Sequence, residues 1–208
     1  MTRLYIIRHS QTTGNIEKRL TGRKDYKLTQ DGKELIKRME ERLKDIHFDV
    51  AYCSTSNRTK KTIQGLADKN KIKIIEDENL CEMYFGIYDG FKWEEVNKIN
   101  PEIHNKRMET NEIMGIEKQE TTQEVALRMK KVITDIAQKN EGKNILICSH
   151  GVAIEAFLRE ISGEKFTQKI EEYSQKNTSI NIVDYDENSQ EFKIELLNDI
   201  NHLKNIRT

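Results

Sequence analysis

The sequence predicts an α/β fold, a three-layer α/β/α arrangement in which a mostly parallel central sheet lies between layers of helices. Short apolar runs at residues 4–7, 48–53 and 72–75 are typical of strands, and segments with helical spacing of apolar residues separate them at 29–46 and 59–70. This β-α-β-α-β order implies parallel strands joined by right-handed crossovers. The first run shows no alternation of apolar and polar residues, which is typical of a strand covered on both faces.

The alternation of strands and helices continues in the C-terminal half. We predict helices at 125–136 and 152–161 and strands at 144–148, 179–185 and 192–197. In the N-terminal half, Thr29 is the expected N-cap of the first long helix. The chain length suits a single domain over residues 1–208.

One region, at about residues 79–120, breaks this alternation, and we expect it to form an excursion or lid over the edge of the sheet. It contains the single tryptophan, Trp93, whose spacing with Val96 and Ile99 indicates a short helix packed on the body. Stacking of Trp93 on a substrate is a less favoured alternative. The stretch 102–120 has little periodicity, which suits a mobile loop that selects the substrate.

The composition excludes several classes of partner. Lysine plus arginine and aspartate plus glutamate both total 35, so the formal net charge is zero and no general field attracts nucleic acid or an anionic membrane. No apolar run is long enough to span a membrane, and the N-terminus lacks the pattern of a signal peptide. We therefore expect a cytoplasmic protein, monomer or homodimer, with no nucleic-acid or membrane partner.

The cysteines and the scattered histidines do not indicate a metal site. Cys53, Cys81 and Cys148 have no C-x-x-C spacing and are expected to be buried structural residues. Three histidines lack metal-ligand spacing with one another or with acids: His47, His104 and His202. Glycine-rich nucleotide-binding motifs are also absent. We predict no metal and no cofactor.

Chemically active residues follow three of the predicted strands. Arg8 and His9 end the first strand, Arg58 follows the second at the start of a helix, and His150 ends the strand at 144–148. Because ligands bind at the carboxyl edge of parallel sheets, these side chains predict an anion pocket there. Alone, His150 would more often be a structural histidine and Arg58 a surface residue. Together with the Arg-His pair, the pocket is the better interpretation.

Four motifs occur in order along the chain: RHSQTTGN at 8–15, STSNRTKKT at 54–62, LCEMYFGIYDG at 80–90 and SHG at 149–151. With LTQDG at 28–32 and NTSI at 177–180, they resemble the histidine phosphatase superfamily, whose best-known branch is the phosphoglycerate mutases. The resemblance covers nearly the whole chain and implies a phosphoglycerate mutase-like fold. One departure is Ser10, where the family usually has glycine, and its hydroxymethyl group either crowds the pocket or adds a donor.

The resemblance also implies a role for each matching residue. His9 is then the nucleophile that takes the phosphoryl group, Arg8, Arg58 and His150 hold its oxygens, and Glu82 is the general acid. Glu82 alone carries the weakest signal, because other acids precede it. Further residues match positions that line the family's pocket: Gln11, Asn15, Gly22, Ser54 and Gly151.

The nucleophile must attack as a neutral imidazole. Arg8 and Arg58 are expected to lower the pKa of His9, because like charges disfavour its protonated form, and a backbone carbonyl is expected to hold its other ring nitrogen. The pKa of Glu82 must change in the opposite direction. Desolvation by its neighbours at 83–85 is expected to raise its pKa so that it can donate a proton.

The predicted function is a phosphoric monoester hydrolase that forms a phosphohistidine intermediate on a small phosphorylated substrate. A cofactor-dependent phosphoglycerate mutase is the alternative, although Met83 stands where such mutases have a substrate-gripping arginine after the glutamate. A non-catalytic phospho-ligand binder is disfavoured, because nucleophile and acid are both present. No residue at 91–119 identifies the substrate.

Overall fold

A six-stranded central sheet with helices on both faces confirms the predicted α/β fold in the computed structural model, which describes residues 1–110, 115–166 and 170–204. The strands are β1 (Thr2–Arg8), β2 (Val50–Cys53), β3 (Ile74–Glu76), β4 (Asn144–Ser149), β5 (Ile180–Asp186) and β6 (Glu191–Asp199). Their order across the sheet is β3-β2-β4-β1-β5-β6. The first four in this order are parallel, and β5 is antiparallel to both of its neighbours.

Seven α-helices lie within the described residues. They are α1 (Thr13–Ile16), α2 (Gln30–Arg42), α3 (Asn57–Asn70), α4 (Trp93–Ile99), α5 (Pro101–Thr110), α6 (Thr122–Lys139) and α7 (Gly151–Ser162). Thr29 is the N-cap of α2, as predicted, and its Oγ1 accepts a hydrogen bond from Gly32 N at 2.8 Å. The helix ends at Arg42, earlier than the apolar spacing indicated, because the chain turns there towards β2.

The first strand is buried on both faces, which explains why its sequence shows no alternation. Leu4 and Ile6 belong to a core cluster shared with α6 and α7. Tyr5 and Ile7 belong to a second cluster, shared with α2 and α3 on the opposite face. The strand therefore lies in the middle layer of three.

The excursion contains two short helices, α4 and α5. Val96 is fully buried and Trp93 packs against the core, but Ile99 is 58% exposed, so its predicted packing is wrong. The physical reason is that α4 ends at Ile99 and Ile103 of α5 enters the core instead. Residues 111–114 of the expected lid lie outside the described residues, and its mobility stays a prediction.

The described ranges contain no long apolar helix. No helix there has both the length and the apolar character needed to cross a membrane.

Candidate active site

The register of β1 and β4 brings two distant histidines together at the carboxyl edge of the sheet. Arg8 pairs with Ser149, and His9 N donates to Ser149 O at 2.9 Å. The rings of His9 and His150 consequently lie with their centroids 5.2 Å apart, in an edge-to-face arrangement. The structure thus places both histidines on the same side of the molecule, as the strand ends indicated.

His9 is held in one tautomer by its neighbour along the chain. Its Nδ1 lies 2.7 Å from the carbonyl oxygen of Ser10. A carbonyl oxygen only accepts, so Nδ1 carries the proton and Nε2 keeps its lone pair. Burial, together with the positive charges of Arg58 and Arg8, lowers the pKa of His9 well below its usual value of 6.5. The ring is therefore neutral, with a nucleophilic nitrogen.

Arg58, at the start of α3, is fixed mainly by backbone oxygens. Its Nη1 donates to Lys24 O at 2.6 Å and approaches Asp25 Oδ1 at 3.3 Å, and its Nη2 donates to Gly22 O at 2.9 Å. The same Nη2 lies 3.0 Å from His150 Nδ1. The guanidinium is 1% exposed, and its Nε has no hydrogen-bond partner among the described residues.

The contact with Arg58 also determines the tautomer of His150. Because the guanidinium only donates, Nδ1 of His150 accepts, and Nε2 carries the proton that it donates to Ser54 Oγ at 2.7 Å. Burial and the charge of Arg58 hold the pKa of His150 well below its usual value. Both ring nitrogens are engaged, so a contact between His150 and a phosphoryl oxygen stays a prediction.

Arg8 reaches the site from the end of β1. Its Nη1 donates to Gln175 O at 2.6 Å, while its buried Nε has no hydrogen-bond partner within the ranges that the structure describes. Burial lowers the pKa of Arg8. Gly151 allows α7 to begin beside it, because a Cβ at Gly151 would lie 3.3 Å from Arg8 Cζ.

Glu82 lies at the N-terminus of α7. Its Oε1 accepts from Met83 N at 3.0 Å and Ala153 N at 2.9 Å, and its Oε2 accepts from Val152 N at 3.2 Å. The residue is 6% exposed. Met83 and Phe85 are buried, as predicted for the neighbours of Glu82, whereas Tyr84 is 38% exposed. Desolvation of Glu82 by these residues stays a prediction.

Two cavities meet at Glu82. The first has a volume of about 150 Å³, and its lining includes Arg8, Asn15, Arg19, Glu82, Trp93 and Gly151. The second has a volume of about 280 Å³, and its lining includes Gly22, Arg58, Glu82 and His150. His9 lines neither cavity, because only 1% of it is exposed. Both linings therefore combine arginines with carboxylates other than Glu82: Glu155 in the first cavity, and Asp25 and Glu78 in the second.

The sequence profile of the histidine phosphatase superfamily (branch 1) matches residues 4–200 of the chain. The chain belongs to this superfamily. A probable phosphoglycerate mutase of Enterobacter sp. (strain 638) is 26% identical over 211 residues, covering 98% of this chain and 95% of the relative. An uncharacterised phosphatase of Bacillus subtilis (strain 168) is 29% identical over 163 residues, covering 78% and 79%.

Solved structures agree with the assignment of the fold. The Bacillus stearothermophilus protein YhfR superposes with a TM-score of 0.90 at 25% identity, covering 98% of this chain and 100% of that chain. The phosphoglycerate mutase-like fold implied by the resemblance is therefore confirmed.

Ser10, the departure from the usual superfamily pattern, supports the loop after β1. Its Oγ is fully buried and donates to Gly32 O at 2.6 Å, and its backbone N donates to Thr62 Oγ1 at 2.9 Å. It lines neither cavity. Of the two alternatives, the hydroxyl therefore acts as a donor, directed at the backbone of α2.

Three residues predicted to bind substrate, Asn15, Gln11 and Ser54, differ in where they lie relative to the cavities. Asn15 lines the first cavity, and its Oδ1 accepts from Thr12 N at 2.9 Å. Gln11 lines neither cavity, and its Oε1 accepts from Thr29 Oγ1 at 2.8 Å. Ser54 contacts His150, because its Oγ accepts the hydrogen bond from His150 Nε2. Contact of Gln11 or Ser54 with substrate stays a prediction.

Sequence reasoning missed several residues that hold the site. Asp25 accepts from Asn57 N at 2.9 Å at the start of α3, and hydrogen bonds and the charge of Arg58 keep its pKa low although burial opposes this. Asn177 Nδ2 donates to His9 O at 2.9 Å. The NTSI motif drew attention to Asn177 without a role, whereas no local signal distinguishes Asp25 from other surface acids.

Metal-ligating side chains do not cluster in residues 1–110, 115–166 and 170–204. These ranges contain no group of three or more His, Cys, Asp or Glu side chains placed to hold a metal ion.

Proposed function

We propose that this histidine phosphatase hydrolyses small phosphomonoesters through a phosphohistidine on His9. The observation that supports this most strongly is the pair of buried Nε–H donors of Arg8 and Arg58, which have no hydrogen-bond partner in the described part of the chain. A buried donor without a partner costs roughly 1–3 kcal/mol, and phosphoryl oxygens between the two arginines would remove this cost.

The chemistry follows from the tautomer of His9. Its Nε2 lone pair attacks phosphorus, an N–P bond forms, and the bond between phosphorus and the substrate oxygen breaks. Glu82 donates its proton to the departing alkoxide. Water then attacks the phosphohistidine, returns a proton to Glu82, and breaks the N–P bond to release phosphate and regenerate His9.

The arginines supply electrostatic stabilisation in this proposal. Negative charge on the transferred phosphoryl group is spread over its three equatorial oxygens, and catalysis of such transfers depends mainly on positioning and charge. Arg8 and Arg58 are already fixed by carbonyl oxygens, so little reorganisation is needed when the group arrives. Glu82 lines both cavities, which supports its proposed role as proton donor to the leaving group.

The size of the first cavity favours a small substrate. It has a volume of about 150 Å³ and the second cavity about 280 Å³, so the two together reach only the lower part of the range for sites that bind drug-sized ligands. Leu20, Phe85 and Trp93 form an apolar part of its lining, and Arg19 adds a cation. A small phosphorylated metabolite suits this lining better than a phosphoprotein.

A phosphoglycerate mutase is the second candidate, favoured by the Enterobacter relative. Against it, Met83 is fully buried where a mutase would need an arginine to grip substrate. An assay with 3-phosphoglycerate, with and without the bisphosphate, separates the two. We expect phosphate release and no isomerisation, and isomerisation that depends on the bisphosphate would favour the mutase.

The nucleophile is tested with p-nitrophenyl phosphate. We expect His9→Ala to lose activity by more than about a thousandfold, because no other group takes the phosphoryl group. His47→Ala is the matched control, since its ring is 74% exposed, and it should retain full activity. Rapid quenching with labelled substrate should trap an acid-labile adduct in the wild type alone. Equal rates in wild type and His9→Ala, or no turnover in either, would favour a phospho-ligand binder.

A further inference from the structure

The segment that carries Glu82 belongs to no strand or α-helix, yet its backbone oxygens are held by two side chains. Arg128 Nη1, from α6, donates to Asn79 O and Cys81 O, both at 2.8 Å, and its Nη2 donates to Glu82 O at 3.2 Å. Ser149 Oγ donates to Leu80 O at 2.7 Å. One guanidinium therefore binds three of the four carbonyls at residues 79–82.

The guanidinium of Arg128 is also linked, through Glu120, to the backbone that follows Glu82. Arg128 Nε and Nη2 donate to the two carboxylate oxygens of Glu120 at 2.8 Å and 3.1 Å. Glu120 also accepts from Tyr84 N at 2.8 Å and Arg23 Nη2 at 3.2 Å. Although burial opposes it, these donors lower the pKa of Glu120, so the carboxylate is charged at neutral pH.

We infer that Arg128 is a positioning residue that holds the Glu82 carboxyl in place for proton transfer, acting through the backbone on both sides of Glu82. This inference rests on the proposed role of Glu82 as general acid. Arg128 lines neither of the cavities that meet at Glu82, so it does not contact substrate directly. A lysine at this position keeps the positive charge but lacks the planar fork that binds several carbonyls and a carboxylate together.

The effect of a substitution on substrates with different leaving groups distinguishes a positioning role from a role in the stability of the protein. An alkoxide needs a proton as it leaves, whereas p-nitrophenolate leaves readily without one. Loss of the acid's position should therefore slow alkyl phosphates more than p-nitrophenyl phosphate. A merely structural role would lower both rates by the same factor, because only the amount of folded enzyme would change.

The experiment compares wild type with Arg128→Lys on p-nitrophenyl phosphate and on the alkyl phosphate that the wild type hydrolyses fastest. We expect kcat to fall about tenfold or more on the alkyl phosphate and less than about threefold on the aryl phosphate. Arg3→Lys is the matched control, because Arg3 forms a bidentate pair with Asp184 at 2.7 Å and 2.6 Å, away from the site. It should leave the ratio of the two rates unchanged.

A double-mutant comparison completes the test. In a Glu82→Gln background, Arg128→Lys should cause no further loss on the alkyl phosphate, since the group it positions is already removed. Equal losses on both substrates, or an additional tenfold loss in the Glu82→Gln background, would overturn the inference while leaving His9-dependent hydrolysis intact. Failure of the wild type on every alkyl phosphate would overturn the acid role itself, and failure on p-nitrophenyl phosphate would instead remove the proposed function.

Discussion

At the scale of single residues, backbone oxygens orient two of the candidate catalytic side chains, His9 and Arg58. The carbonyl of Ser10 selects the tautomer of His9, and the carbonyls of Gly22 and Lys24 hold Arg58. A carbonyl neutralises no charge, so the arginine keeps most of its attraction for an anion, whereas a bidentate carboxylate would offset it. Asp25 approaches Arg58 only at 3.3 Å, which fits this division of roles.

Gly22 gives the first prediction at this scale. Its φ is +42°, and a Cβ there would lie 1.6 Å from Asp89 Oδ1. Gly22→Ala should lower the free energy of unfolding by more than the roughly 1–2 kcal/mol of a left-handed backbone, and should also lower activity by displacing the carbonyl that binds Arg58. Chemical denaturation and the p-nitrophenyl phosphate assay measure the two effects.

Gly142→Ala is the control for the backbone cost alone. Its φ is +73°, but a Cβ there would meet nothing within 4 Å. We expect a loss of about 1 kcal/mol and full activity. If both variants lose the same stability and the same activity, crowding at Gly22 is not what requires glycine.

At the scale of elements, the loop after β1 is anchored on the start of α2. Thr29 N donates to Gln11 O at 3.1 Å, Thr29 Oγ1 donates to Gln11 Oε1, and Ser10 Oγ donates to Gly32 O. These contacts join the nucleophile loop to a helix whose apolar face is buried in the second core cluster. The helix therefore positions the loop, although it supplies no residue to the cavities.

The N-cap of α2 is the element-scale test. Thr29→Ala should lower the free energy of unfolding by about 1 kcal/mol, because Gly32 N loses its acceptor, and Thr29→Ser should restore most of it. Thr134→Ala is the control: its hydroxyl donates to Lys130 O within α6, and alanine suits a helix interior. A change at Thr29 no larger than that at Thr134 would contradict the capping role.

At the scale of the whole molecule, burial of the site links folding to pH. His9 and His150 both have lowered pKa values in the folded protein, chiefly because they are buried. Below the usual histidine value of 6.5, the unfolded chain binds protons at these positions and the folded chain does not. Stability should therefore fall as pH falls below about 6.5, and be fully present above it.

This linkage predicts that the buried histidine rings determine how steeply the free energy of unfolding depends on pH. Between about pH 6.5 and pH 5, each histidine that stays neutral contributes up to roughly 1.4 kcal/mol per pH unit to the loss of unfolding free energy. The free energy of unfolding, measured by urea denaturation at several pH values in this range, should depend less steeply on pH in His9→Asn than in wild type. The exposed His47→Asn should leave the slope unchanged, and an unaltered slope in His9→Asn would contradict the linkage.

The sequence by itself determined the elements and the set of candidate catalytic residues. Apolar runs, helical spacing and motif order are local patterns along the chain, and they predicted the strands, most helices, and the candidates His9, Arg58, Glu82 and His150. Ile99 shows the limit of such patterns, because periodicity predicts an apolar face but not where α4 ends.

Only the tertiary structure decided how the site is held. The register of β1 against β4, the tautomer of His150, the carbonyl partners of Arg58 and the links from Arg128 to the segment of Glu82 all join residues that are distant in the chain. All of them except the tautomer of His150, which the side chains of Arg58 and Ser54 set, depend on backbone oxygens, which every residue type carries alike. Residue identity therefore marks the reactive groups, while chain packing selects which carbonyl or amide orients each of them.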